Sequence, residues 1–208
     1  DMPLDEARAA LDGIPDNYGI ALADVAVVET MAIPGPAGPI DTRVVRPNDA
    51  GTAAPVLIYY HGGGWVLGHV ESHLREARYY ANKAGCVVVV PGYRLAPEAR
   101  FPAGVEDCTA VLDWVAANGE SLGVDASRIA VGGDSAGGNL AAVVAQIARD
   151  RGAPRIIFQL LVYPVTDAYQ DTASYRDKGE GYFLSKATMA WFIETYLSDP
   201  GERDDSRV

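Results

Sequence analysis

The chain has 208 residues, 49% of them apolar, which is enough to bury the core of one domain. A formal charge of −11 argues against a nucleic-acid or anionic-membrane partner, since both call for clustered Lys and Arg, and mainly favours solubility. No apolar run is long enough to span a membrane, and the polar start "DMPLDEARAALDGIPDNYG" lacks the pattern of a secretory signal, which points to a cytoplasmic protein.

Leu4, Ala7, Leu11 and Ile14 recur at helical spacing and stop at Gly13 to Pro15, predicting a short helix in an N-terminal cap segment, residues 1–20. Two β-type runs follow, "VAVVETMAIPG" and "PIDTRVVRP", separated by Gly and Pro as in an antiparallel pair at a sheet edge. The uniformly apolar "VLIYY" reads as a strand covered on both faces. Strand-like and helix-like segments then alternate. Residues 71–84 are helical, "CVVVV" is a buried strand, and residues 103–118 place Val105, Cys108, Val111, Leu112 and Val115 on one helix face. "RIAVGG" is a strand, 136–150 a small-residue helix, and "RIIFQLLVYP" a sixth strand. This order predicts an α/β fold, a mostly parallel, doubly wound sheet with antiparallel N-terminal edge strands, filling residues 21–165. Beyond Pro164 the polar and aromatic residues 166–200, with a helix capped by Ser185, form either a cap over the carboxyl ends of the strands or an ordinary surface connection. Cys86 and Cys108 read as buried small hydrophobes, and no metal or cofactor is expected.

Two glycine motifs carry the chemistry. "GGDSAGG" matches G-x-S-x-G at Gly133, Ser135 and Gly137, between a strand and a helix. That is the context of a nucleophile elbow, where glycines avoid a clash and the serine itself is strained. "HGGGW", His61 to Trp65, follows "VLIYY" directly. Three glycines there let backbone N–H groups approach the oxygen that becomes negative in a tetrahedral intermediate.

The motifs "HGGGW", "YRLAPE" at 93–98, "FPAGVED" at 101–107, "GDSAGGNL" at 133–140, "YPVTD" at 163–167 and "GYFLSKATMAWFIETYL" at 181–197 together resemble the bacterial hormone-sensitive-lipase-like carboxylesterases of the α/β-hydrolase superfamily. The resemblance implies an α/β-hydrolase fold with a helical cap. It implies Ser135 as nucleophile and the N–H groups of Gly63, Gly64 and Ala136 as oxyanion hole. His61, Gly62, Gly133, Asp134 and Gly137 would support the two loops, with neither His61 as base nor Asp134 as triad acid. Trp65 and Tyr163 are candidate walls of a substrate pocket, and the substrate would be a small to medium acyl ester. Gly92 departs from the family, which usually has aspartate before the tyrosine of "YRLAPE"; packing rather than chemistry is expected to change.

The base is the difficulty. In this fold the triad runs Ser, then Asp or Glu, then His. His61, His69 and His73 all precede Ser135. His69 and His73, at the start of a helix, read as solvated, and Asp167 and Asp199 follow no suitable strand. Six strands are counted where the family has eight. The expectation is a C-terminally truncated chain, with the last two strands and the triad acid and histidine missing. Such a fragment should be poorly active and prone to self-associate, as a homo-oligomer or otherwise, through an exposed sheet edge. A non-catalytic small-ligand binder and a related amidase or peptidase are the alternatives.

Overall fold

Valine- and isoleucine-rich runs build the middle of the molecule, whose computed structural model describes residues 3–12, 21–51 and 53–208. Strands β3 (Ala54–Tyr60), β4 (Val87–Pro91), β5 (Val124–Asp134) and β6 (Ile156–Val162) are parallel. The hairpin of β1 (Val27–Gly35) and β2 (Gly38–Arg46) joins antiparallel to β4, giving the order β1-β2-β4-β3-β5-β6. β4 is buried along its whole length, which is why it reads as unbroken valine and not as an alternation.

Helices cover both faces. Val56, Ile58 and Tyr60 share one core with α3 (Ala103–Ala117) and α5 (Ala136–Arg151); Leu57 and Tyr59, pointing the other way, pack with Ala77 and Ala81 of α2 (Leu74–Ala84). Smaller elements complete the chain: α1 (Leu4–Asp12), α4 (Gly119–Leu122), α6 (Ala173–Lys178), α7 (Lys186–Tyr196), and 3-10 turns at Glu71–His73 and Pro200–Asp204. Ser185 caps α7 as expected, its Oγ accepting from the Thr188 N–H at 3.1 Å. The predicted stop of α1 at Gly13 to Pro15 lies outside the described residues. Cys86 and Cys108 are free and buried. Among the described residues no helix is long and apolar enough to cross a membrane.

One strand differs from the sequence reading, and the exposed sheet edge that reading expects is present at β6. β5 begins at Val124 rather than Arg128, because Val124 pairs with Ala54 and residues 125–128 fall in an irregularity before pairing resumes at Ile129 with Val56. β6 is half open: it pairs with β5 on one side and with no further strand among the described residues on the other. Phe158 is 60% exposed there and Ile157 47%.

Candidate active site

The sharpest backbone feature sits where β5 turns into α5. Ser135 holds φ 54° and ψ −118°, which a residue with a Cβ adopts only under strain. A Cβ on Gly133 or Gly137 would overlap the Tyr60 carbonyl oxygen, so the crossing of β5, α5 and β3 tolerates only glycine at both positions. The Ser135 N–H donates to the Val162 carbonyl at 2.9 Å, and its own carbonyl accepts from Asn139 at 3.1 Å and Val165 at 3.2 Å. Its neighbours are thus fixed to α5 and to the end of β6.

At the end of β3, next to this turn, lies the glycine loop. Gly63, Gly64 and Trp65 take φ of 117°, 61° and 60° in succession. The Gly63 carbonyl accepts from Val66 at 3.1 Å and Leu67 at 2.8 Å. The N–H groups of Gly63 and Gly64, and that of Ala136 in the first turn of α5, have no hydrogen-bond acceptor among the described residues.

Asp134 ties the loop to the turn. Its Oδ1 accepts from Gly62 N–H at 3.1 Å and Tyr59 hydroxyl at 3.0 Å and lies 3.4 Å from His73 Nε2. His73 is therefore not the solvated helix-start histidine that the sequence suggests. Its side chain is 12% exposed, and Nδ1 meets Ser72 Oγ at 2.9 Å. Burial opposes its charge, but the hydrogen bond and charge of Asp134 win and raise its pKa. Burial likewise opposes the Asp134 carboxylate, and His73 outweighs it, lowering the pKa. His69, by contrast, is exposed, as expected.

His61 lies flat against Tyr93, ring centroids 4.3 Å apart, with Nδ1 donating to the Gly62 carbonyl at 2.8 Å. Tyr93 hydroxyl in turn donates to the His61 carbonyl at 2.7 Å. Complete burial, reinforced by the charge of His73, pushes the His61 pKa down to about 3. The ring is neutral at physiological pH and props the loop. Gly92 has a local reason: its N–H donates to the Asp41 carbonyl at 2.8 Å, and a Cβ would sit 3.0 Å from that oxygen.

The two pocket candidates part company. Trp65 is 1% exposed and stacked on Tyr196, centroids 4.4 Å apart and planes 7° from parallel, so it is a core residue and no wall of an open pocket. Tyr163 is 74% exposed at φ 36°, directly after β6. Asp167 and Asp199 serve as local caps, accepting from Tyr169 N–H at 2.8 Å and Gly201 N–H at 2.7 Å. No group of His, Cys, Asp and Glu among the described residues could hold a metal ion. The Asp134–His73–Tyr59 cluster and the packing of Trp65 were missed in the sequence, where no local signal marks partners so far apart.

A parallel sheet that passes through a strained serine into a helix, beside a glycine loop on the neighbouring strand, is the arrangement of the α/β hydrolases. The family described as alpha/beta hydrolase fold matches residues 57–208, and the chain belongs to it. It is 45% identical to the esterase LipI of Mycobacterium tuberculosis over 83% of this chain and 54% of that protein. It is 47% identical to the carboxylesterase NlhH of the same species over 74% of this chain and 50% of the relative. A hyperthermophilic esterase from the archaeon Pyrobaculum calidifontis superposes with a TM-score of 0.94 at 44% identity, covering 100% of this chain and 67% of the other. The chain thus spans about half the length of these curated relatives.

Proposed function

We propose that these residues form the nucleophile and oxyanion half of a serine carboxylesterase acting on small to medium acyl esters. The observation that carries this reading is the strained turn at Ser135 beside a loop whose Gly63 and Gly64 N–H groups have no acceptor among the described residues. Ser135 Oγ attacks the ester carbonyl carbon and gives up its proton to a base. The carbonyl oxygen, now negative, accepts hydrogen bonds from Gly63, Gly64 and Ala136 N–H. Collapse of the intermediate breaks the bond to the alcohol, which leaves with the proton, and water then releases the acyl group from Ser135. Residues 166–200 act as a cap over this site, and the apolar outer edge of β6 favours self-association.

The base and its acid come from outside these 208 residues. No histidine follows Ser135 in the sequence, His61 is neutral and bound into the loop, and His73 is committed to Asp134. The test is labelling with a fluorophosphonate, located by mass spectrometry. Ser135 should be labelled in a chain extended past Val208 through the histidine, with ester turnover. The 208 residues alone should turn over esters slower by about a thousandfold or more. A folded, extended chain in which Ser135 stays unlabelled would mean a ligand-binding protein on a hydrolase fold.

A further inference from the structure

We infer that α7 is a working part of the oxyanion hole: Phe192 and Tyr196 are positioning residues that hold Gly63–Trp65 in its strained form. This rests on the reading of Gly63 and Gly64 as oxyanion donors. Gly63 and Gly64 take positive φ readily, but Trp65, a bulky non-glycine residue at φ 60°, does so only at a cost, and the strain of the loop lies there. The loop's own hydrogen bonds, from Val66 and Leu67 to the Gly63 carbonyl, do not reach Gly64 or Trp65.

The Trp65 carbonyl accepts from Ala96 N–H at 2.9 Å, and beyond that bond both residues are held from outside by successive turns of one helix face. The Phe192 ring lies where a Cβ of Gly64 would be, so a glycine is required and its backbone rests directly on the ring. One turn on, the Tyr196 ring covers the Trp65 indole in the near-parallel stack already described. Trp65 Nε1 and Tyr196 hydroxyl are both buried without a hydrogen-bond partner among the described residues, so ring packing and not polar pairing joins the helix to the loop. The helix is in turn seated on the core: Phe101 N–H donates to the Tyr196 carbonyl at 2.9 Å, and the Arg100 guanidinium donates to the carbonyls of Glu194 at 3.1 Å and Leu197 at 2.5 Å. Gly62, just before the loop, is pinned separately by Asp134. A motion that lifts α7 therefore slackens Gly64 and Trp65 first, and the donors are aligned only when the helix is seated.

Hydrogen–deuterium exchange of the Val66 and Leu67 amides reads this directly, with Phe192→Ala as the perturbation and Phe192→Leu as the milder variant. The expected result is loop exchange faster by at least about tenfold in Phe192→Ala, largely rescued in Phe192→Leu, with β3, β4 and β5 amides unchanged. Unchanged loop exchange, or loop and strand amides accelerating in parallel, would overturn the inference. In an extended chain that turns over esters, Phe192→Ala should lower kcat by about a hundredfold with KM nearly unchanged. A wild type without turnover would sink the esterase reading, while the exchange result would still decide the role of α7.

Discussion

Mild acid should destabilise this protein through His61 before most of its carboxylates are protonated. Burial, with the charge of His73, pushes the folded imidazole down to about 3, against an ordinary value of 6.5. Between those values the unfolded chain binds a proton that the folded chain excludes, so stability falls as pH falls through that window. Integrated from pH 6.5 to pH 4.5, this one group removes about 2 kcal/mol. The perturbation is His61→Asn, which keeps a donor near the place of Nδ1 for the Gly62 carbonyl and removes the titrating ring. It loses the Tyr93 stack at every pH, so the comparison is made between pH values rather than between proteins. Urea unfolding followed by tryptophan fluorescence, on both proteins at both pH values, gives the four free energies. The wild type should lose about 2 kcal/mol more than His61→Asn on acidification. Equal losses would refute the reasoning, because the carboxylate background is common to both.

His73 works in the other direction and in another pH range. Its pKa is raised despite burial because the Asp134 carboxylate accepts a hydrogen bond from the imidazolium and carries the opposite charge, so the stability it contributes is complete below 6.5 and is lost as pH rises through the folded value. His73→Gln should therefore flatten the alkaline fall of Tm; an undiminished fall would assign it to other groups. At the turn, Ser135→Gly relieves a backbone that only glycine adopts freely and should raise stability by about 1 kcal/mol in thermal unfolding while abolishing phosphonate labelling. A lower Tm would show that the turn is not strained.

How far the sequence could be read depended on how local the cause was. Gly133 and Gly137 are glycine because a carbonyl passes within contact, and the spacing around Ser135 announces that in five residues. The buried runs of β3 and β4 announce themselves by composition alone. The start of β5 was hidden because Asp125 and Ser127 look like a loop yet lie in a strand that pairs across an irregularity. His73 was misread because a polar residue at a helix start is ordinarily solvated, and its partner Asp134 is remote in sequence. Trp65 was misread for the same reason: an aromatic after a glycine loop suggests a pocket wall, and only the fold brings Tyr196 on top of it.

The hydrogen bonds of the Ser135 backbone run to Val162, Asn139 and Val165, and none runs to α7. Substitutions within residues 166–197 therefore leave the anchors of the serine backbone in place. The same changes act at once on the glycine loop through Phe192 and Tyr196. Divergence in this segment is freest on the outward side of α7, where Trp191 lies, and most constrained on the side that touches Gly64 and Trp65.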